Sequence, residues 1–191
     1  MESYKSLATV EVYKTDLISQ PHIGEPLNLS SPASAVFIDF ALVDPPMLEA
    51  KTTVKEAVAL MEHEHSRVKL VINESEQLRG IVTHADLVST HTMRVSAELN
   101  IPRRDLTVGD LMTPRKHIRA IQRELIAHAS IGHVVETFKA INTAYLLVTN
   151  EEGSHITGMF CLRDLQRRNI VSIGSSYRAE SFAELYQALR H

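Results

Sequence analysis

Apolar and polar positions along this chain fall into one pattern that is then repeated. A short apolar run, Met47 to Ala50, leads to Thr52 and Thr53, after which Val54, Ala57, Val58, Leu60 and Met61 recur at helical spacing. Glu56 stands three residues after Thr53, the spacing of a capping box, so a helix is expected to begin there. Val68 to Ile72 reads as a strand, Glu74 to Gln77 as a polar turn, and Leu78 to Thr83 as a second strand with Gly80 inside it. A helix is expected from about Asp86 to Leu99, with Leu87, Val88, Val95 and Leu99 on its apolar face. The same order returns later. Ile118 and Ile121 mark a short strand, and Ile131, Val134, Val135, Phe138 and Ile141 form a helical stripe. Tyr145 to Val148 and Ile156 to Cys161 are strands about an Asn150–Gly153 turn, and a helix runs from about Arg163 to Asn169.

This is an internal repeat. FIDFALVDP at 37–45 aligns with VGDLMTP at 108–114, and GIVTHADL at 80–87 with GMFCLRDL at 158–165. The offsets, 71 and 78, make the second unit about seven residues longer, with the surplus expected near Gln122 to Ala129. Each unit reads strand-helix-strand-strand-helix, an α/β (α+β type) arrangement. About 60 residues hold too little core to stand alone comfortably, so the two units are expected to pack through their sheets with pseudo-twofold symmetry. The chain divides into an arm at 1–34, a first repeat at 35–100, a second at 101–170 and a tail at 171–191. Pro21, Pro26 and Pro32 break the arm, in which only Leu7 to Tyr13 suggests a strand. Phe182, Leu185, Tyr186 and Leu189 suggest an amphipathic tail helix.

Composition narrows the function. With 191 residues the chain has room for one domain or two small ones, and with 23% of them charged it is not generally disordered. A single cysteine, Cys161, excludes an internal disulfide and fits a reducing cytoplasm. No basic-then-apolar leader opens the chain and no apolar run is long enough to span a bilayer, so a cytoplasmic protein without membrane attachment is expected. The net charge of −3 resolves into 8 basic against 14 acidic residues in 1–100 and 12 against 9 in 101–191. The basic excess gathers at Arg103, Arg104, Arg115, Lys116, Arg119 and Arg123, which reads either as a solvated face or as a local anion site. Duplex DNA is not an expected partner.

The doubled G-x-x-x-x-x-D-L, each preceded by an apolar strand and a polar turn, together with D-L-M-T-P at 110–114, resembles the cystathionine β-synthase (CBS) domain. Two in tandem resemble a CBS pair, or Bateman module, over about 36–170. The resemblance implies a stand-alone regulatory module that binds an adenosine-containing ligand such as AMP, ADP, ATP or S-adenosylmethionine in the cleft between repeats. It requires no cofactor and assembles as a homodimer acting on a target protein. It also implies roles for particular residues. Asp86 and Asp164 would take the ribose hydroxyls. Thr83, with His84 beside it, would face phosphate. Met47 and Leu48 would border the adenine slot, and Arg115, Lys116 and Arg163 would supply positive charge. Each repeat lacks one common contact, since Ala85 stands where Arg is frequent and Cys161 where a hydroxyl is expected. The Thr83/Asp86 site is therefore the favoured one.

Physical chemistry supports such roles independently. A carboxylate accepts two hydrogen bonds from a vicinal diol, and a glycine admits a close backbone where a Cβ would intrude. A purely structural use of the same residues stays open: Asp86 and Asp164 stand at helix starts, where aspartate is a good N-cap, and Thr83 could bond locally. A ligand-free scaffold is the alternative function. A metal-dependent enzyme using the ten histidines is a minor one, because Glu62-His63-Glu64-His65 lacks the H-E-x-x-H spacing. The roughly 35 residues before the pair and 21 after it are too few for a catalytic domain.

Overall fold

The computed structural model describes residues 26–171. The strand expected at Leu7 to Tyr13 and the helix expected in the tail lie outside them. In chain order the elements are β1 (Ile38–Asp39), β2 (Met47–Glu49), α1 (Val54–His63), β3 (Val68–Ile72), β4 (Leu78–Thr83), α2 (His84–Val88), α3 (His91–Leu99), α4 (Val108–Leu111), β5 (Thr113–Pro114), β6 (Ala120–Gln122), α5 (Ile131–Ile141), β7 (Tyr145–Thr149), β8 (Ile156–Cys161) and α6 (Leu162–Arg167).

Local chemistry accounts for most boundaries. Thr53 caps α1 through a capping box with Glu56, as its spacing predicted. Helices α3 and α5 end on Asn100 and Asn142 in the left-handed conformation that asparagine tolerates. The helix expected over 86–99 is instead two. Ser89 adopts an extended backbone, its hydroxyl accepts from the His91 N–H, and its carbonyl accepts from the Thr92 hydroxyl. Serine and threonine hydroxyls thus replace the helical ladder at the break. The surplus of the second repeat falls where expected, as a 3-10 turn at Arg123–His128.

Two four-stranded sheets form, ordered β2-β3-β4-β5 and β1-β8-β7-β6. Each is completed by the opening strand of the other repeat. β5 lies antiparallel to β4, with Pro114 opposite Gly80, and β1 lies antiparallel to β8, with Asp39 opposite Gly158. Asp39 and Pro114 are therefore equivalent, which corrects the first offset from 71 to 75. From these marks to the motif glycines the spacing is 41 and 44 residues, so the second unit is longer by three there rather than seven. The crossing explains the glycines. A Cβ on Gly80 would stand 2.5 Å from the Thr113 carbonyl oxygen, and one on Gly158 2.4 Å from that of Ile38.

The core has three parts. Helices α1 to α4 cover one sheet over Leu48, Ala57, Met61, Val71, Val82, Leu87 and Leu106. Helices α5 and α6 cover the other over Val134, Phe138, Leu146, Val148 and Phe160, with Ala33 and Val36 inserted from the start of the chain. Between the sheets, Val68, Leu70 and Ile81 of one meet Leu147 and Met159 of the other, so the repeats do pack sheet against sheet.

Candidate functional site

The two motif turns occupy equivalent places, each where the central strand of a sheet passes into a helix, but they are built differently. At the end of β4 the Thr83 hydroxyl donates to Asp86 Oδ2 at 2.6 Å and the Thr83 N–H donates to the same oxygen at 2.8 Å. The Asp86 N–H donates back to Thr83 Oγ1 at 3.2 Å. The N-cap is thus Thr83, and Asp86 is the third residue of the helix rather than its cap. All of these bonds use Oδ2, and no hydrogen bond to Asp86 Oδ1 is found among the described residues. At the end of β8 the capping position holds Cys161, whose side chain makes no capping bond. The third helical position is Asp164, so it too is not the cap. Desolvation, with the Asp164 carboxylate second, pushes the Cys161 thiol up to about 11. It is therefore a protonated thiol at neutral pH, a poor nucleophile and a poor hydrogen-bond partner.

His84, the first residue of α2, has a side chain only 16% exposed. Its Nδ1 lies 3.3 Å from Arg67 Nη1, and its Nε2 3.5 Å from Glu62 Oε1. Met47 is opposite Leu70 in the parallel β2–β3 pair, and Leu70 faces the second sheet. Strand geometry therefore puts Met47 on the inter-sheet side, half exposed. Leu48 points the other way and is buried beneath α1 with Val54 and Ala57. Arg115 and Lys116 are exposed in a 3-10 turn, Arg115–His117, directly after β5. Because Thr113 faces Ile81 and Pro114 faces Gly80, the chain leaves β5 toward the Leu78 end of β4, away from Thr83. Arg163 is exposed in the first turn of α6 beside Cys161 and belongs with the second motif turn. The structure thus gathers Thr83, His84 and Asp86 in one turn and Arg163 and Asp164 in another, and leads Arg115 and Lys116 away from the first.

One residue near the first turn was not anticipated. Tyr145 opens β7 opposite Cys161, at the place where the first repeat has Val68 opposite Thr83. Its phenol is raised above its ordinary value by burial, and the charge of Asp86 adds to that. The side chains of Thr113 and Thr143 act against the shift by hydrogen bonding. A side chain of the second repeat therefore comes within electrostatic reach of the first motif aspartate. The available signal was a tyrosine at a position where the other repeat has valine.

Two open surface grooves occur elsewhere, one along Arg123, Asn150 and Glu151, the other along Leu29, Gly132 and His133, and neither is lined by a motif-turn residue. Among the described residues no three His, Cys, Asp or Glu side chains cluster as a metal site would require, and no helix is long and apolar enough to cross a membrane.

Comparison with known proteins follows the same lines. The family model of the CBS domain matches residues 38–90, which include the whole Thr83–Asp86 turn. No curated protein sequence matches the chain. Among solved structures, an uncharacterized conserved protein from Pyrococcus horikoshii is 19% identical, with a TM-score of 0.54, over 78% of this chain and 100% of that one. The CBSX2 protein in complex with AMP is 16% identical, with a TM-score of 0.51, over 73% of this chain and 96% of that one. A CBS-domain protein from Agrobacterium tumefaciens is 14% identical, with a TM-score of 0.52, over 71% and 95%. At these identities the likeness is one of fold. Residues 38–90 thus match the CBS domain, and the described residues as a whole have a fold similar to that of CBS-domain pair proteins.

Proposed function

We propose that the pair at 35–170 is a regulatory module that binds an adenosine-containing ligand, AMP, ADP, ATP or S-adenosylmethionine, at the first motif turn. The observation that carries this reading is Asp86. Its Oδ2 is held by Thr83 while its Oδ1 accepts no bond among the described residues, which suits it to a ribose diol. That the similarly folded CBSX2 has been crystallised with AMP supports the ligand class. In this reading the ligand acts by binding two packings of the repeats unequally, the protein is regulatory rather than catalytic, and it works as a cytoplasmic homodimer on a target protein. The second turn contributes less, because Cys161 offers only a thiol at the capping position.

A second reading, a scaffold that binds nothing, is favoured by the way Thr83 and Asp86 satisfy one another. A thermal-shift panel separates the two. A ligand at about 100 times its Kd stabilises by about 2.7 kcal/mol, which is several degrees for a protein of this size. The ligand reading expects that rise from at least one of AMP, ADP, ATP and S-adenosylmethionine, and the scaffold reading expects none from any.

A further inference from the structure

The histidine at the start of α2 has an environment that selects the tautomer of its neutral ring. Arg67 carries only donors, so the 3.3 Å contact from its Nη1 requires His84 Nδ1 to accept. The proton of the neutral ring then sits on Nε2. That nitrogen is fully enclosed, has no well-formed hydrogen bond among the described residues, and lies 3.5 Å from Glu62 Oε1 at the end of α1. The backbone repeats the connection, because the His84 N–H donates to the Arg67 carbonyl at 3.0 Å. Among the described residues, the charged side chains in contact with the ring are Glu62 from α1 and Arg67 from the turn before β3. On its own helix the nearest is Asp86, already engaged by Thr83.

We propose that Arg67, His84 and Glu62 form a proton-sensitive latch that fastens the ligand-motif turn to α1. The neutral ring is the Nε2–H tautomer, accepting from Arg67 and directed at Glu62. When a proton adds to Nδ1, that nitrogen becomes a donor facing a guanidinium. The Arg67 contact is lost, and the imidazolium is drawn toward the Glu62 carboxylate. Thr83 precedes His84 and Asp86 follows two residues later, so the rearrangement shifts the turn that would hold ligand. The assignment of that turn rests on the function proposed above, whereas the latch rests on its own geometry.

The test uses the uniformly 15N-labelled protein without ligand, so its outcome is independent of adenosine binding. Long-range 1H–15N spectra from about pH 8 to pH 5, the range in which histidine changes charge, report the ring form. The expected result is the Nε2–H tautomer at the alkaline end, with the Thr83 and Asp86 amide signals moving in step with His84 protonation. In Arg67→Met the tautomers are expected to mix. An Nδ1–H ring or a tautomer mixture in the wild type would overturn the proposal. So would Thr83 and Asp86 amides that ignore the titration, or an unchanged tautomer in Arg67→Met.

Discussion

Thr83 and Cys161 occupy equivalent positions and do unequal work. The threonine closes a capping box, while the thiol caps nothing and stays protonated because it is desolvated beside Asp164. Replacing a capping hydroxyl costs about 1 kcal/mol, so Thr83→Ala is expected to lose that much in urea unfolding and Thr83→Ser to retain most of it. The reverse change, Cys161→Thr, is expected to gain up to about 1 kcal/mol by supplying the missing cap. With its thiol at about 11, native Cys161 is expected to react slowly with a disulfide reagent at neutral pH and quickly once the chain is unfolded in denaturant. Equal rates in both states would show that the fold neither shields the thiol nor raises its pKa. The motif residues themselves were legible in the sequence, but their bonding was not. Asp86 reads as an N-cap from its place before an apolar run, whereas the extended backbone of Thr83 makes threonine the cap and aspartate its reciprocal partner.

At the scale of elements, the strands bounded by turn residues and the helices with clear stripes were readable, and β3, β4, α5 and β8 begin where their patterns begin. The break between α2 and α3 was not readable, because its cause is hydroxyl bonding at Ser89 and Thr92 and leaves the apolar spacing intact. Nor was the exchange of opening strands, since two-residue strands have no periodicity of their own. What the sequence did hold was its consequence, the glycine in each motif. Gly80→Ala and Gly158→Ala each force a Cβ to within 2.5 Å of a crossing carbonyl, and each is expected to destabilise by about 1–3 kcal/mol.

The exchanged strand β1 is also tied electrostatically. The Arg123 guanidinium donates to both oxygens of Asp39 and lies 5.2 Å from the centroid of the Phe37 ring. Together with the Ala41 N–H it holds the Asp39 carboxyl below its usual value. A carboxyl lowered in the folded state contributes stability above its unfolded pKa and loses it as pH falls through the folded one. Wild type is therefore expected to exceed Arg123→Met in urea unfolding at pH 7, with the gap closing once the pH falls below about 4. A gap that persists or widens in acid would show that Arg123 stabilises by packing alone.

Across the whole molecule, the two repeats are joined by exchanged strands at the edges and by a small apolar layer between the sheets. That layer makes their relative packing sensitive to single side chains. Leu147 lies at its centre opposite Met159, and Leu147→Ala is expected to cost about 2–5 kcal/mol. Tyr145 packs against the same layer and lies within electrostatic reach of Asp86, so side chains of both repeats approach the first motif turn. Under the proposed function, a ligand at that turn would act on the packing of the repeats through this contact. The repeat and its sheet-to-sheet contact were legible because each unit is too small to bury both faces of its own sheet. The reach of Tyr145 toward Asp86 was not, because it depends on a contact between residues far apart in the chain.

The central claim is that Asp86 holds an adenosine-containing ligand, and calorimetric titration tests it most directly. AMP, ADP, ATP and S-adenosylmethionine are each titrated into the wild type and into Asp86→Asn, with far-UV circular dichroism establishing that the variant is folded. A hydrogen bond to a charged group contributes about 1.5–3 kcal/mol, so at least one compound is expected to bind the wild type and to bind the folded variant about tenfold or more weakly. Absence of binding by all four compounds, or equal affinity in wild type and variant, would contradict it.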